Sequence, residues 1–311
     1  MPDSQIEEIK SKVDIVNIIG EHVKLTKAGT NYRGLCPFHN EKSPSFMVSE
    51  ELQIYKCFGC GEGGDVFTFL EKYEGMEFPE ALKYLAEIAG VKLVSSAPVD
   101  NSKEILYEIN NLAAKFYNYL LVSHSIGKVA LNYLKEERKI NDDSIKTFNI
   151  GFAPLNKNVL TDFLVNKKKF KLKDIEKAGL ILVKNNVYER FNGRIIFPIS
   201  DHRGNVIAFA GRQLPPGNPR SGKYINSPET PIYHKSNSLY GLNLTKDFIK
   251  KSGFAVVVEG EVDLISSFAV GIKNIVAIKG SAFTDGQASL LSRYTKEVVL
   301  ALDTDFAGVA A

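Results

Sequence analysis

Apolar residues near the start of the chain recur at intervals of three and four positions, which predicts an amphipathic helix. This stripe consists of Ile6, Ile9, Val13 and Val16. Ser4 and Glu7 have the spacing of a capping box at its start. Short alternating runs over residues 45–48 and 53–58 indicate strands. A helix capped by Asp65 and another from Pro79 to Ala89, ended by Gly90, complete a first module.

The pattern changes twice beyond this module. Residues 103–183 favour short helices interrupted at 151–154, and residues 187–214 favour a β-meander that turns at 201–204. From residue 243, three apolar strands (FAVVVEG, NIVAIKG and EVVLALD) alternate with helices that begin near Asp263 and span 285–292. Such a βαβαβ order predicts a parallel sheet covered by helices.

The predicted class is therefore a multidomain protein with α+β and α/β parts. Its 311 residues, 44% of them apolar, are enough for two or three domains. We expect a first domain over residues 1–94, a mixed α+β domain over 103–242 and the parallel sheet over 243–311. The polar segment SSAPVDNS, residues 95–102, is the expected linker.

Several classes of protein are excluded by composition. No apolar run is long enough to span a bilayer, so membrane insertion is not expected. The amino terminus lacks the basic and apolar regions of a secretory signal, which favours a cytoplasmic location. All three cysteines lie within residues 36–60, so we expect reduced thiols with a specific role and not a disulfide framework.

Positive charge is concentrated in the middle of the chain. Residues 138–251 contain 21 Lys or Arg and 9 Asp or Glu, whereas both flanking segments are acidic. The local cluster of lysines at 167–173 is best explained as a solvated surface. An excess spread over the whole segment indicates a polyanionic partner.

Cys36, His39, Cys57 and Cys60 form two short hooks with the spacing C-x2-H-x17-C-x2-C. Each hook can direct two ligand atoms at one zinc ion, and four protein ligands leave no open position. The spacing therefore predicts a structural zinc site, against the alternative of a chance cluster of thiols.

Rings and cations alternate around the hooks: Tyr32, Arg33, Lys42, Phe46, Tyr55, Lys56 and Phe58. This mixture is typical of surfaces that bind single-stranded nucleic acid. Phe46 and Phe58 have an equally good alternative role in the core of a small ribbon.

Carboxylates follow the strands of the predicted parallel sheet. Glu259 follows one strand, and Asp303 and Asp305 follow another. Ligands collect at this edge of open parallel sheets, and clustered acids are stabilised by hard dications such as Mg²⁺. Asp263 could face the same cleft or simply cap the next helix.

Six segments, spread over almost the whole chain, resemble the bacterial replicative primase family, the DnaG type. The segments DIVNIIGEHVKLTKAGTNYRGLCPFHNEKSPSF and YKCFGCGEGGDVFTFL resemble its zinc-ribbon domain. RFNGRIIFPISDHRGNVIAFAGR, KYINSPETPIYHKSNSLYGL, VVEGEVDLI and LALDTDFAG resemble its polymerase core, which ends in a TOPRIM fold. The chain ends inside that fold, so we expect an incomplete TOPRIM subdomain.

The resemblance implies a DNA primase, a nucleotidyltransferase that makes short RNA primers for replication. It implies structural Zn²⁺ on the four hook ligands and catalytic Mg²⁺ or Mn²⁺ on Glu259, Asp303 and Asp305. Family positions that handle template and nucleotide phosphates match Arg138, Arg190, Arg194, Arg212, Lys223, Asn226 and Lys235. The implied partners are a single-stranded DNA template, ribonucleoside triphosphates, the RNA primer and, through a further domain, the replicative helicase.

Four positions depart from the family pattern. Glu261 and Val262 replace an aromatic residue and a methionine, and Lys139 and Thr304 stand where glycine is common. An extra carboxylate at Glu261 could alter metal occupancy. The alternatives to a primase are a TOPRIM nuclease or topoisomerase, and a non-catalytic zinc-ribbon fragment that binds single-stranded DNA.

Overall fold

The chain folds into two compact units, Met1–Asp100 and Asn101–Ala311. A computed structural model describes residues 3–39, 41–76, 78–93, 102–155, 158–217, 220–280 and 282–302. Helices and strands alternate in both units, and the expected mixed class is confirmed. The predicted linker at 95–102 lies outside the described residues except for Ser102, which begins a helix.

The first unit packs helices against a five-stranded sheet of order β1-β2-β3-β4-β5 in which all neighbours are antiparallel. Its elements are α1 (Asp3–Lys12), α2 (Ile15–Gly20), β1 (Thr26–Ala28), β2 (Asn31–Gly34), β3 (Phe46–Ser49), β4 (Ile54–Cys57), β5 (Gly63–Gly64), α3 (Val66–Phe69) with a π-helical turn Leu70–Glu74, and α4 (Phe78–Ile88).

The ends of these helices follow from capping side chains. The single amphipathic helix predicted at the start is wrong: Asp14 accepts a hydrogen bond from the Val16 N–H at 2.8 Å and starts α2 as a separate helix. The predicted cap Asp65 is confirmed, because it accepts the Thr68 N–H at 3.0 Å. Gly90 has a left-handed φ of 65° and ends the turn after α4 as predicted.

One face of the first sheet is buried and the other faces solvent. On β4 the side chains of Tyr55 and Cys57 are buried, whereas those of Ile54 and Lys56 are exposed. Tyr55 packs with Phe46 and Phe69 in an aromatic cluster beneath the sheet. This alternation places the polar and exposed side chains of the strands on the opposite face.

Within its described residues, the second unit contains three sheets and most of the helices. Its elements up to residue 226 are α5 (Ser102–Val122), α6 (Lys128–Asn132), α7 (Asp142–Thr147), β6 (Gly151–Ala153), α8 (Val159–Asp162), α9 (Leu172–Lys177), β7 (Ile181–Val183), β8 (Val187–Glu189), β9 (Arg194–Ser200), β10 (Val206–Gln213) and β11 (Tyr224–Asn226). They are followed by α10 (Leu242–Ser252), β12 (Phe254–Val258), α11 (Glu261–Ala269), β13 (Ile275–Ala277), α12 (Asp285–Ser292) and β14 (Glu297–Leu300). Short π-helical or 3-10 turns occupy Ser125–Gly127, Tyr133–Glu137, Phe163–Lys167 and Lys235–Asn237.

The antiparallel part differs from its prediction in three ways. The hairpin of β9 and β10 with its turn at 201–204 is confirmed, but β8 pairs with β7 in a separate small sheet. The interruption at 151–154 contains strand β6, which lies beside β9 in the sheet of order β11-β10-β9-β6. Helix α5 is 21 residues long, not short, because its buried face is continuous.

The predicted parallel sheet is confirmed, with the order β13-β12-β14. Helix α12 has the predicted bounds, and α11 begins at Glu261, two residues before the predicted start. Tyr240 exchanges backbone hydrogen bonds of 2.9 and 3.1 Å with Ala277 at the free edge of β13. A single buried cluster joins the parallel sheet to the antiparallel part.

Among the helices of the described residues, none is both long enough and apolar enough to cross a bilayer.

Candidate functional site

The four predicted zinc ligands converge in the first unit. Their ligand atoms all lie within 4.8 Å of one another. Cys36 Sγ is 3.8 Å from Cys60 Sγ, and Cys57 Sγ is 3.7 Å from His39 Nδ1. A tetrahedral zinc ion with Zn–S bonds of about 2.3 Å needs ligand atoms separated by about 3.6–3.8 Å. The arrangement therefore fits a structural zinc ion.

Strand ends and tight turns position these ligands. Cys57 is the last residue of β4, and its sulfur accepts hydrogen bonds from the N–H groups of Gly59 and Cys60 at 3.3 and 3.4 Å. A Cβ atom at Gly59 would lie 2.6 Å from His39 Nε2, so only glycine fits this close approach. The N–H groups of this turn thus stabilise the Cys57 thiolate, and the absence of a side chain at Gly59 leaves room for the His39 imidazole.

A second layer of polar groups surrounds the ligands and was not recognised in the sequence. Glu41 Oε1 accepts the Cys36 and Ser45 N–H groups at 2.7 and 3.0 Å, and Oε2 lies 3.4 Å from His39 Nε2. The Ser45 hydroxyl contacts both Glu41 and, at 3.3 Å, Cys57 Sγ. Because Nδ1 of His39 faces Cys57, the Nε2–H is left to donate to the carboxylate, as is common in zinc sites.

The thiols of Cys36 and Cys57 differ in acidity. Burial raises the pKa of Cys36 to about 12. Burial acts in the same direction at Cys57, but the Ser45 hydroxyl and the N–H groups of Cys60 and Gly59 outweigh it and lower the pKa to about 6. A shared dication removes this difference, since a coordinating thiol is deprotonated.

The aromatic residues near the zinc ligands divide between core and surface. Phe46 and Tyr55 are buried, so the core alternative is confirmed for Phe46 and a stacking role for Tyr55 is wrong. Phe58 is 76% exposed, and the core alternative is wrong there because Phe58 follows the last strand residue in an exposed turn. Arg33 and Lys56 flank Met47 on the solvent-facing side of the sheet.

In the second unit, Glu259 lies at the carboxyl end of β12, the central strand of the parallel sheet. Its side chain is half-buried. Val257 pairs with Leu300 of β14, and in the same parallel register Glu259 lies opposite Leu302, in the segment that follows β14. Asp303, Thr304 and Asp305 lie outside the described residues. Asp263 Oδ2 accepts the Gly260 N–H at 3.2 Å, the geometry of the alternative in which this residue caps α11.

Glu261 does not project freely into the cleft. Its side chain is buried and pairs with the ammonium group of Lys279, and each of the two side chains is only 5% exposed. Burial and the charge of Lys235 lower the pKa of Lys279, whereas the contact with Glu261 favours its charged form. Sequence reasoning missed Lys279, because nothing in the spacing links it to position 261.

Arg194 and Arg212 meet at one end of the antiparallel sheet. Arg194 is buried and donates to Ser221 Oγ at 2.6 Å and to the carbonyl oxygens of Gly211, Gly222 and Lys223. Arg212 is also buried; it donates to the hydroxyls of Tyr133 and Tyr224. Both guanidinium groups therefore hold the ends of β9, β10 and β11 together.

The other predicted cleft residues are more accessible. Lys223 and Lys235 are exposed, and Arg138, Arg190 and Asn226 are half-buried. Arg190 Nε donates to the Gly179 carbonyl at 3.1 Å. Lys235 lines a cleft of about 320 Å³ together with Gly280, Thr284 and Gln287, beside the carboxyl end of β13.

Family models match three successive regions of the chain. A CHC2 zinc finger matches residues 1–101, the amino-terminal domain of the DNA primase catalytic core matches 116–246, and a Toprim-like model matches 256–311. The three regions together cover both units.

Curated relatives and solved structures agree with these models. The chain is 40% identical to a DNA primase of Enterococcus faecalis and 44% identical to one of Clostridium acetobutylicum, over 100% and 98% of its own length and 51% of each relative. It thus spans about half the length of the curated relatives it matches.

The structure is similar to the zinc-binding and RNA polymerase domains of the Aquifex aeolicus primase, with a TM-score of 0.61 and 37% identity over 98% of this chain and 74% of that one. A DnaG primase catalytic domain bound to single-stranded DNA matches 68% of this chain and 65% of its own length, with a TM-score of 0.61 and 33% identity. These similarities favour the primase family over nuclease and topoisomerase families. The chain belongs to the bacterial DnaG-type DNA primase family.

Proposed function

We propose that this chain performs DNA-templated synthesis of short RNA primers by metal-dependent nucleotidyl transfer. The observation that carries the proposal is Glu259, a half-buried carboxylate at the carboxyl end of the central parallel strand in a primase-family chain. Ligands of open parallel sheets bind at this edge. The adjacent segment leads from this edge to Asp303 and Asp305 in the sequence.

In this proposal Glu259, Asp303 and Asp305 hold Mg²⁺ or Mn²⁺, and Asp263 supports the loop that carries Glu259. When bound, the ions would stabilise charge on the α-phosphate and on the departing pyrophosphate. Lys235 and Lys223 neutralise the triphosphate, and Asn226, Arg138 and Arg190 complete the phosphate-binding cleft. Arg194 and Arg212 position the strands that carry these residues.

The proposal also includes binding of a single-stranded DNA template. A related DnaG catalytic domain binds single-stranded DNA, and the exposed sheet face of the first unit offers cations and a ring. Zinc keeps the turn that bears Phe58 in shape without taking part in the reaction. The replicative helicase and a cytoplasmic location are further parts of the proposal, as are the domain limits 1–94, 103–242 and 243–311.

The experiment measures primer synthesis on a single-stranded template with labelled ribonucleotides and Mg²⁺. Glu259→Gln and Asp303→Ala should each reduce the rate of dinucleotide formation by at least about 100-fold, because each removes a ligand charge from the ions. Binding of the single-stranded template should change by less than about twofold, since phosphate contacts of other residues supply that affinity.

Glu297→Gln is the matched control, because it removes one carboxylate from the opposite, amino-terminal end of the same sheet. Its rate should equal that of the parent. A parent rate retained by Glu259→Gln and Asp303→Ala would refute the proposal. Covalent DNA adducts would instead favour the topoisomerase alternative.

A further inference from the structure

We propose that Glu261 and Lys279 form a charge-balancing pair that sets the divalent-cation affinity of the neighbouring acid site. The inference rests on the proposed function, because it concerns the metal site assigned there to Glu259, Asp303 and Asp305. The pair is a positioning and charge-setting element, and neither residue is assigned a contact with substrate.

The pair is located at the carboxyl edge of the parallel sheet. Glu261 is the first residue of α11, and Lys279 follows β13 by two positions. Their charged groups are in direct contact and almost fully removed from solvent. The Lys279 Nζ also lies 5.7 Å from the centre of the Tyr240 ring, which closes the pocket on another side.

Backbone hydrogen bonds connect the pair to Glu259. The Ile278 N–H donates to the Val258 carbonyl at 3.0 Å, and the Lys279 N–H donates to the Glu259 carbonyl at 3.2 Å. The segment after β13 therefore continues the parallel ladder alongside the loop that carries Glu259. Glu261 is only two residues beyond Glu259, so both members of the pair are tied to the same loop.

The backbone at Lys279 supports a role beyond packing. Its φ is +60°, in the left-handed region that lysine seldom adopts, and Gly280 follows directly. Residues held in such conformations cluster at functional sites when the surrounding structure fixes them. Here the fixed contact is the buried ion pair with Glu261.

Loss of Glu261 and loss of Lys279 should change the dication affinity of the acid site in opposite directions. A buried ion pair in contact projects little field, whereas either member alone leaves one unscreened charge near Glu259. Without Glu261, the protonated form of Lys279 is a cation, beside Lys235 at the same edge, that repels dications. Without Lys279, the ionised form of Glu261 is a carboxylate that attracts them. A purely structural pair would instead weaken metal binding whichever member was lost.

The test measures Mn²⁺ binding to the zinc-loaded chain by electron paramagnetic resonance of the free ion. Glu261→Gln should weaken Mn²⁺ affinity by at least about fivefold, and Lys279→Met should strengthen it by at least about threefold. The double variant Glu261→Gln/Lys279→Met has no unpaired charge, so its affinity should lie within about twofold of the parent.

Matched controls come from the amino end of β14. Glu297→Gln and Lys296→Met make the same charge changes at the opposite edge of the sheet and should leave Mn²⁺ affinity unchanged. Circular dichroism and thermal melting check the folding of every variant. If a single variant does not fold, the double variant decides, and a loss of Mn²⁺ affinity by a folded double variant overturns the proposal.

The outcomes separate this inference from the proposed function. Parent-like affinity in both single variants, or shifts in the same direction, would overturn the charge-balancing role and leave the metal site intact. A parent chain that binds no Mn²⁺ would overturn the metal site and the pair together. Shifts of opposite sign that cancel in the double variant support the proposal.

Discussion

At the scale of single residues, Glu41 is the side chain that links most of the groups around the zinc ligands. Its carboxylate receives the Cys36 and Ser45 N–H groups and lies close to His39 Nε2. Burial would raise its pKa, but the hydrogen bonds from Ser45 and Cys36 outweigh burial and lower it. The charged form is therefore the one that the surrounding donors favour.

Glu41→Gln should weaken zinc affinity by about 10–100-fold, because the amide cannot stabilise the imidazole N–H as a carboxylate does. Competition with a chromogenic chelator at pH 7.5 measures this change. Glu50→Gln, at an exposed position in the same unit, is the control and should bind zinc like the parent. Equal affinities for all three chains would contradict the role of Glu41.

Lys139 also departs from ordinary backbone geometry, with a φ of +55°. The resemblance in the sequence already indicated glycine at this position, and the left-handed backbone supplies the physical reason. Glycine has no Cβ to oppose this conformation, although it loses more entropy on folding.

Lys139→Gly should therefore raise the free energy of unfolding by about 0.5–1 kcal/mol, a balance of these two effects. Urea denaturation of the zinc-loaded chain measures it. Lys184→Gly, in a turn where φ is not left-handed, should give no such increase. A gain of the same size in both variants would show that the backbone at 139 is not the cause.

At the scale of elements, the exposed face of the first sheet is defined by alternation along β2, β3 and β4. The sequence predicted β3 and β4, whose apolar alternation is strong, but not β1, β2 or β5, which are short and mostly polar. Pairing with neighbours, and not local propensity, decides such strands. Because the pairing register of these strands was not predictable, the sequence could not show which aromatic side chains lie on the buried face of the sheet and which lie on the exposed face.

Phe58, exposed in the turn that follows β4, is the ring proposed to stack on a base of the template. Phe58→Ala should weaken binding of single-stranded DNA by roughly 1–3 kcal/mol, the usual contribution of one stacked base. Fluorescence anisotropy with a labelled oligonucleotide measures the loss. Ile88→Ala, a truncation of an exposed apolar side chain on α4, should have no effect. Identical affinities for Phe58→Ala and the parent would exclude stacking on this ring.

The three-strand parallel sheet was the most predictable element. Its strands are continuous apolar runs, and the helices between them have recognisable starts such as the Thr284 cap of α12. What could not be predicted is the pairing of Glu261 with Lys279, since it depends on which segment follows the neighbouring strand in space. Side-chain contacts across a sheet edge leave no periodic signal in a single sequence.

At the scale of the molecule, each unit has a hydrophobic core of its own. Composition and the polar segment at 95–102 were sufficient to suggest a division in this region. The zinc ligands come only from the first unit, so metal should stabilise that unit selectively.

Removal of zinc with a chelator should reduce amide protection in β3 and β4 by at least about 100-fold, because metal binding contributes directly to folding of such sites. Protection of β9 and β10 should not change. Hydrogen exchange read by mass spectrometry reports both regions in one experiment. Equal losses in the two units would indicate that they unfold cooperatively.

The backbone bridge between Tyr240 and Ala277 has a practical consequence for dissecting the molecule. The bridge pairs the edge of β13 that no other strand of the described residues covers, and Tyr240, which forms it, precedes α10. A recombinant fragment that starts at residue 243 would lack Tyr240. The backbone N–H and C=O groups at the edge of β13 would then be unpaired and open to pairing with other chains. Such a fragment should self-associate. A fragment that starts near residue 102 retains Tyr240, so the edge of β13 stays paired and it should not self-associate.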